Sequence, residues 1–527
     1  MKKNLLTFAL VLFSGLLSAQ INDSFVFSIS DFSFKPEGQY IRIKHSENTY
    51  TEDVGYPELP RIEVRYVIPY DSYVSAFSVT DSTVQMLQGT YLINPKQPDV
   101  IIGEHLPPFE LDSAAYRSNQ PYKGRFAELT DQYYEMGYHS AVVNIYPFSY
   151  VPQQNRLYFC SSINFSLQFS QNSDSPARPK MVSRPMLEQA KTLIKTQVKN
   201  ASEVETLSMG GIRIVEMNEQ IPDLIPLMQT PTGVLPQYVI ITNNRDVNGN
   251  TIEPYQNKSM TDYFQELADW KTKKGVPAVV VTVDDICENY SGNDIQAKIH
   301  NFLKNVSEQY GMINVLLGGD VNVVPERMID TNAYYNYIVP PFPSDYYYNA
   351  VDSTWDSNGN GIYGETYPGP VDYINYNRKF ILGRIPVKDC LDASVFLNKD
   401  TTYEKMSGVT NRDYVNNVAY MVAAFIDNSD WYNSETHFSI DKHIGYIEKN
   451  YINSQFHDSA VYGISQDNIV NWRLFEDTYT YDNYISYATS GNYSTYHSIG
   501  WENHSMVLGR DSVLAVLNAG VHITPSH

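Results

Sequence analysis

One imidazole near the end of the sequence is the strongest candidate for acid–base chemistry. His497 lies in the run N-Y-S-T-Y-H-S-I-G-W (492–501), in which small polar and aromatic residues precede a glycine. This pattern is typical of a strand that opens into a loop beside a cleft. Because imidazole titrates near neutral pH, a histidine held there can carry a proton to or from a reacting group. A histidine that is only hydrogen-bonded within the fold is the alternative reading of the same residues.

A second candidate is the acidic loop D-S-N-G-N-G-I-Y-G-E at 356–365. Oxygen-bearing side chains recur at alternate positions, and a glycine stands where the chain must turn sharply. This spacing suits Ca²⁺, which binds carboxylate, amide and carbonyl oxygens, although an Asn/Gly turn without an ion is the alternative. The similar run D-V-N-G-N at 246–250 lacks the later glycine and is predicted to be a plain turn. The predicted calcium ligands are Asp356, Asn358, Asn360, the backbone carbonyl of Ile362, and Glu365.

The other candidate sites are weaker. Cys287 and Cys390 lie at the edges of predicted elements without a basic neighbour that would lower a thiol pKa, so bystander cysteines are favoured over nucleophiles. Gly318-Gly319-Asp320 could bring backbone close to a ligand, but it lacks the spacing of a nucleotide-binding loop. No G-x-S-x-G motif or phosphate loop occurs. The histidines of the last segment lack an H-E-x-x-H pattern, so structural roles are favoured over zinc binding for His497, His504, His522 and His527.

Two regions of different periodicity would position these residues. From residue 21 to about 169, apolar and polar residues alternate, which predicts an antiparallel β domain. A segment rich in Ser, Pro and basic residues follows, and up to residue 237 it is interpreted as a connector where processing can occur. From residue 238, short apolar strands alternate with helical faces in βαβαβ order. This order predicts a parallel sheet with the working residues at the carboxyl ends of its strands.

Composition and the N-terminus restrict the class of protein. The chain has 527 residues, which indicates two or three domains. Its net charge of -21 argues against nucleic acid or an anionic membrane as partner. Lys2 and Lys3, an apolar run at 5–17 and Ser18-Ala19-Gln20 predict a signal peptide cleaved after Ala19. No later segment has the length of a membrane span. Three cysteines imply no disulfide framework.

From about residue 238 onward, the motifs resemble the gingipain-like cysteine peptidases of family C25. Their order and spacing fit over nearly the whole of this region. The preceding P-E-L-P-R-I-E-V-R-Y-V-I-P (57–69) is similar to the family's β-rich propeptide. The matching pieces are A-D-W-K-T-K-K-G-V-P (268–277), I-C-E-N-Y-S-G-N-D-I-Q-A-K-I (286–299), V-L-L-G-G-D-V-N-V-V-P-E-R (315–327), S-D-Y-Y-Y (344–348), W-D-S-N-G-N-G-I-Y-G-E (355–365), L-G-R-I-P-V (382–387) and Tyr403-Glu404.

The resemblance implies a caspase-like α/β fold and a secreted endopeptidase made as a zymogen. It implies a Cys–His dyad, in which the imidazole of His497 activates a thiol that attacks the peptide carbonyl while backbone N–H groups hold the oxyanion. It also implies a calcium-stabilised loop at 356–365. In three respects the sequence departs from the family: Tyr496-His497-Ser498 replaces G-H-G, no cysteine follows Cys390, and the remainder of the catalytic domain with the family's C-terminal modules is missing. The nucleophile would be expected just beyond His527.

The sequence therefore predicts an α/β protein with an antiparallel β-rich domain followed by a mostly parallel, C-terminally incomplete peptidase domain. We expect the β domain to act as an intramolecular inhibitor until the connector is cut. The predicted organisation is a signal peptide at 1–19, a propeptide domain at 20–170, a connector at 171–237 and a truncated peptidase domain at 238–527.

The predicted function is that of a secreted gingipain-like cysteine endopeptidase precursor that acts on peptide or protein substrates. As written, the chain is expected to be inactive because it lacks the nucleophile. The alternative is a non-catalytic secreted binding or adhesion protein that keeps the fold. A structural calcium ion is expected, without an organic cofactor. Asp345 could select a basic substrate side chain or serve the fold, and the structural role is preferred.

Overall fold

The computed structural model describes most of the chain between residues 20 and 405 and short strands beyond it. For residues 100–101 and for everything after 405, only the backbone is described. The predicted signal peptide at 1–19 and His497 lie outside the described residues. The described residues are 20–45, 49–98, 100–101, 108–173, 175–176, 178–207, 211–330, 341–365, 372–375, 378–405, 417–422, 426–427, 470–475, 500–502 and 505–507.

The N-terminal part is built from antiparallel strands. Its largest sheet has the order β1-β10-β5 with β9 on β10, and a second sheet has the order β4-β8-β7. The elements are β1 (Gln20–Val26), β2 (Phe32–Glu37), β3 (Tyr40–His45), β4 (Ile62–Ile68), β5 (Ser72–Met86), β6 (Val100–Ile101), α1 (Ser113–Tyr116), β7 (Ala127–Glu135), β8 (Tyr138–Ile145), β9 (Phe148–Val151) and β10 (Arg156–Gln171).

The core of this part lies between the two sheets. Alternate residues of β10 point inward, so that Ile163, Phe165 and Leu167 are buried with Val143 and Ile145 of β8. Full burial of one such side chain stabilises the fold by about 1.5–3 kcal/mol. Strand β8 is buried along its whole length, because its second face is covered as well. The alternation of buried and exposed residues that the sequence predicts for this region is therefore not seen in β8, which is buried on both faces.

The beginning of β8 packs against a helix from the segment predicted to be a connector. This segment contains β11 (Met181–Ser183), α2 (Arg184–Gln197) and β12 (Arg213–Val215), and β11 pairs in parallel with β12. Ser183 caps α2, with its side chain accepting from the N–H of Met186. The buried face of α2 packs in one apolar cluster with Tyr138 of β8 and with Met312 from the α/β part. The segment is thus packed against both neighbours.

The α/β part begins with a short buried strand and alternates strands with helices. The elements are β13 (Tyr238–Thr242), α3 (Met260–Lys273), β14 (Ala278–Thr282), α4 (Val283–Asn289), α5 (Ile295–Tyr310), β15 (Asn314–Gly318), β16 (Arg327–Ile329), β17 (Phe342–Ser344), β18 (Ile381–Ile385), α6 (Cys390–Lys405), β19 (Asn417–Val422), β20 (Ile426–Asp427), β21 (Val470–Phe475), β22 (Gly500–Glu502) and β23 (Ser505–Val507).

Four strands of this part form a parallel sheet in the order β14-β13-β15-β18. Helices α3 and α5 each begin at a capping side chain, Ser259 and Asp294 respectively. Helix α3 is followed by Gly275 with φ 94°, a left-handed conformation that glycine adopts without strain. The predicted combination of an antiparallel β-rich N-terminal region with a parallel α/β sheet is confirmed. Among the helices that the structure describes, none combines the length and the apolar character of a bilayer crossing.

Candidate functional site

The carboxyl ends of β13, β14 and β15 meet at one edge of the parallel sheet. There the hydroxyl of Thr242 donates to the carbonyl of Gly318 at 2.5 Å. The side-chain amide of Asn243, which follows β13, donates to Oδ1 of Asp284 at 3.1 Å. This edge is where parallel α/β sheets place their ligands. The polar side chains of Thr242 and Asn243 at this edge are therefore hydrogen-bonded to other groups of the protein.

Gly318 and Gly319 are explained by packing at this edge. A Cβ atom on Gly318 would lie 2.8 Å from the ring of Phe264, and one on Gly319 would lie 2.5 Å from Cβ of Val323. Both distances are shorter than side chains tolerate, so glycine is required at both positions. The space beside these two glycines, where the sequence suggested that a ligand could come close to the backbone, is therefore filled by the side chains of Phe264 and Val323.

Asp345 is held in an ion pair with Arg384 of β18. Nε of Arg384 donates to Oδ2 of Asp345 at 2.7 Å, and Nη2 donates to Oδ1 at 2.6 Å. The remaining Nη1 donates to the carbonyls of Gly319 and Val324, both at 2.7 Å. Parallel two-point contacts of this kind fix both side chains in orientation. Asp345 therefore has the structural role that the sequence favoured, and its carboxylate is engaged within the fold.

The loop at 356–365 brings its predicted ligands together. The backbone N–H groups of Asn360 and Gly361 donate to Oδ1 and Oδ2 of Asp356 at 3.0 and 3.1 Å. The side-chain amides of Asn358 and Asn360 both donate to Oε2 of Glu365, at 2.9 and 2.8 Å. Two amide groups thus converge on one carboxylate oxygen. All the predicted ligand residues lie in one compact turn.

Asp372 organises this loop and was missed in the sequence. Its buried carboxylate accepts the backbone N–H of Ser357 at 2.7 Å and those of Gly364 and Glu365 at 2.9 Å each. Three N–H donors on one carboxylate fix the two ends of the loop against each other. No local signal marks this aspartate, because its partners lie up to 15 residues away along the chain.

The residues of the loop fit a calcium ion on chemical grounds. Asp356 and Glu365 supply two negative charges, and Asn358 and Asn360 supply amide oxygens, which are hard donors. The two amide groups that donate to Glu365 place both asparagines beside its carboxylate. Within the described residues, His, Cys, Asp and Glu side chains nowhere gather in threes in a metal-binding arrangement. The fit therefore depends on amide and carbonyl oxygens as well as carboxylates.

The run at 246–250 is held together by hydrogen bonds between its own residues. Oδ1 of Asp246 accepts the backbone N–H groups of Asn248 and Asn250 at 2.9 and 2.8 Å, and Oδ2 accepts the side-chain amide of Asn250 at 2.8 Å. These contacts lower the pKa of Asp246, the side-chain amide of Asn250 having the largest effect. The geometry is that of a plain Asx turn.

None of the three cysteines lies in surroundings that favour a thiolate. Burial raises the pKa of the Cys160 thiol to about 11, in the core of the β-rich part. Desolvation also raises the thiol pKa of Cys287, against a smaller opposing effect of Lys298, and that of Cys390. A nucleophilic thiol needs the opposite shift. His497 and the other histidines of the last segment lie outside the described residues, so the structure leaves their roles as predictions.

The sequence model of Peptidase family C25 matches residues 233–524. The chain belongs to peptidase family C25. The resemblance recognised in the sequence is thereby confirmed, and the chain is a cysteine-peptidase-like protein. The match begins just before β13 and extends past the position of His497. No curated protein matches the chain.

Three solved structures with some likeness to the chain are of gingipains. A Porphyromonas gingivalis complex of the RgpB pro- and mature domains has 16% identity, covering 35% of this chain and 96% of that one, with a TM-score of 0.29. Gingipain K from the same organism, in its zymogenic form, has 20% identity, covering 29% and 87%, with a TM-score of 0.26. The Arg-specific gingipain R has 15% identity, covering 52% of this chain and 49% of that one, with a TM-score of 0.27. The family assignment depends on the sequence match.

Proposed function

We propose that this chain is the precursor of a secreted cysteine endopeptidase, in which His497 is the general base of a Cys–His dyad. The observation that carries the proposal is the family match over 233–524, which spans the parallel sheet and the position of His497. In such a dyad the imidazole takes the proton of the thiol, and the thiolate attacks the peptide carbonyl. By the resemblance of its motifs, His497 falls where the family places its catalytic histidine.

None of the cysteines in this chain is a good candidate for the nucleophile, because Cys160, Cys287 and Cys390 all have raised thiol pKa values. We therefore expect the 527-residue chain to hydrolyse no peptides by itself. This observation also favours the second candidate function, a secreted non-catalytic binding protein that keeps the peptidase fold.

The test compares this chain with the same chain extended through the codons that follow His527 in its gene. Fluorogenic peptides with Arg, Lys or an apolar residue at the cleaved bond serve as substrates. We expect activity only in an extended chain that gains a cysteine, and a loss of about a thousandfold or more in its His497→Ala variant. Labelling of Cys287 or Cys390 by a thiol-directed probe, together with hydrolysis by the 527-residue chain, would show that the dyad is assigned wrongly. Continued inactivity of the extended chain would favour the binding protein.

Export is proposed to depend on the segment at 1–19. Mass spectrometry of protein recovered from the medium of an expressing cell should find Gln20 as the first residue. Recovery of the uncleaved chain from the cell alone would contradict this.

We also propose that the β-rich part acts as an intramolecular inhibitor of the α/β part. Two contacts support it: Nε of Arg378 donates to the buried Oε1 of Glu135 at 2.9 Å, and β6 pairs antiparallel with β20. A cut in the segment at 171–237 would then leave two fragments held by non-covalent contacts. Limited proteolysis followed by size-exclusion chromatography tests this, with co-elution expected. Fragments that separate at once would argue against an inhibitory role.

A structural calcium ion is the third part of the proposal. Asp356, Asn358, Asn360, the carbonyl of Ile362 and Glu365 would hold it, and the ion would supply charge neutralisation to a loop that carries two carboxylates. Isothermal titration with CaCl2 of EGTA-treated protein should show one binding event. An absence of binding at millimolar calcium would refute this part.

A further inference from the structure

Arg327 is a buried arginine with partners on several sides. Its guanidinium makes two parallel hydrogen bonds with Asp294, from Nη1 to Oδ2 at 2.9 Å and from Nη2 to Oδ1 at 2.8 Å. The rings of Tyr363 and Tyr347 have their centroids 3.9 and 4.6 Å from its Cζ atom. A guanidinium held by both a carboxylate and aromatic faces has one well-defined position.

The partners of Arg327 belong to different elements. Asp294 caps α5, where its Oδ1 accepts the N–H of Ala297 at 2.7 Å. Tyr363 lies in the loop at 356–365, two residues before Glu365. Arg327 itself begins β16, opposite Ser344 at the end of β17. The guanidinium, carried by β16, is therefore a common contact of the acidic loop and the start of α5.

The backbone on either side of the Tyr363 ring is fixed to the rest of the domain. The carbonyl of Tyr363 accepts the N–H of Asp330 at 2.9 Å, and the N–H of Gly364 donates to the carbonyl of Trp355 at 2.9 Å. A Cβ atom on Gly364 would lie 2.9 Å from the side chain of Ile329, so the loop backbone lies directly against β16 there. The loop, the Tyr363 ring and the strand that carries Arg327 are thus joined by direct contacts.

We propose that Arg327 couples the loop at 356–365 to the N-terminus of α5, so that an ion held in the loop tightens the Arg327–Asp294 pair. This inference rests on the proposed calcium site. An ion drawn in between Asp356 and Glu365 fixes the loop and hence the Tyr363 ring over the guanidinium. Coupling of this kind is reciprocal, so a change at Tyr363 or Asp294 alters calcium affinity although neither residue is a ligand.

Calcium titration of the full chain by calorimetry tests the coupling. We expect Tyr363→Leu and Asp294→Asn each to weaken the calcium Kd by about tenfold, within the usual range of coupling between sites. Tyr363→Phe keeps the ring over the guanidinium and should bind calcium like the wild type. The matched control is Tyr373→Leu, because Tyr373 is 62% exposed and follows Asp372, which also touches the loop. Its Kd should be unchanged.

A second measurement follows the first turn of α5 directly, in the wild type and in Tyr363→Leu. Hydrogen exchange followed by mass spectrometry should show that calcium slows exchange in the first turn of α5, residues 295–298. In Tyr363→Leu this slowing should disappear. Wild-type binding with the same Kd in Tyr363→Leu and Asp294→Asn, or with unchanged exchange at 295–298, overturns the coupling and leaves the calcium site standing. No binding by the wild type overturns both.

Discussion

Two loops of the α/β part have nearly the same sequence and different structures. D-V-N-G-N at 246–250 and D-S-N-G-N at 356–360 differ at one position. In the first loop, both carboxylate oxygens of Asp246 accept hydrogen bonds from donors of the same turn, including the side-chain amide of Asn250. In the second, Asp356 takes only backbone donors from the loop, and the amides of the two asparagines reach outward to Glu365.

The residues that follow the common pattern account for the difference. After the first loop, Thr251 forms an antiparallel bridge with Arg245, which closes the turn after five residues. After the second, Gly361 has φ 80°, a conformation that glycine adopts without strain, and the chain continues around to Glu365. A shared five-residue pattern therefore becomes a candidate ion site only where the chain supplies a second carboxylate.

The largest effect on this comparison is expected for Glu365→Gln. The change removes one of two negative charges while preserving the shape of the side chain, and calcium affinity depends strongly on ligand charge. We expect the calcium Kd to rise roughly 100-fold. Calcium at 100 times the wild-type Kd, which should stabilise the wild type by about 2.7 kcal/mol, should then barely raise the Tm of the variant. Asp246→Asn is the control. An equal loss of calcium binding in this variant would show that the two loops do not differ as calcium sites.

Asp372→Asn tests the support of the second loop rather than its ligands. An amide oxygen cannot replace a carboxylate that accepts three backbone N–H groups, and hydrogen bonds to a charged group are worth about 1.5–3 kcal/mol each. We expect a loss of about 2–3 kcal/mol in the free energy of unfolding in EGTA, measured by urea titration. Asp131→Asn is the control, since its exposed Oδ1 accepts one N–H. Equal stability of the two variants would show that Asp372 does not hold the loop.

The elements that local patterns specify could be predicted from the sequence. The βαβαβ order predicted from residue 238 begins with β13 at Tyr238, and Tyr263, Phe264 and Leu267 are buried on one face of α3. Short buried runs and helical spacing depend on neighbours along the chain, so they can be recognised without the fold. The acidic loop could be recognised for the same reason.

Contacts between distant residues could not be predicted in this way. Arg327 and Asp294 are 33 residues apart, and Arg384 and Asp345 are 39 residues apart. The strand order β14-β13-β15-β18 is likewise set by how the crossovers pack, which periodicity does not record. Asp372 was missed because its importance lies in three backbone partners outside its own segment. The catalytic role of His497 stays a prediction, because this residue lies outside the described residues.

Asn358→Ala and Asn248→Ala form a matched pair at the third position of each loop. Asn358 offers an amide oxygen to the proposed ion, whereas the described bond of Asn248 to Asp246 uses its backbone N–H. We expect the first variant to weaken the calcium Kd about tenfold, an effect smaller than the loss of a charged ligand. The second should leave the Kd within twofold of the wild type, about the error of the titration. The same response in both would remove the distinction between the loops.

Asp246→Ala should have the smallest effect, because the turn is at the surface. We expect the Tm at neutral pH to fall by about 1–2 °C, without change in the calcium-dependent rise. The pKa of Asp246 is lowered in the fold from 3.8, so its stabilising effect is complete above that pH and is lost as the pH falls through the lowered value. Thermal unfolding of wild type and variant at neutral pH and in acid should therefore show a difference that vanishes in acid. A variant that no longer responded to calcium would instead place an ion at 246–250, and the contrast between the two loops would fail.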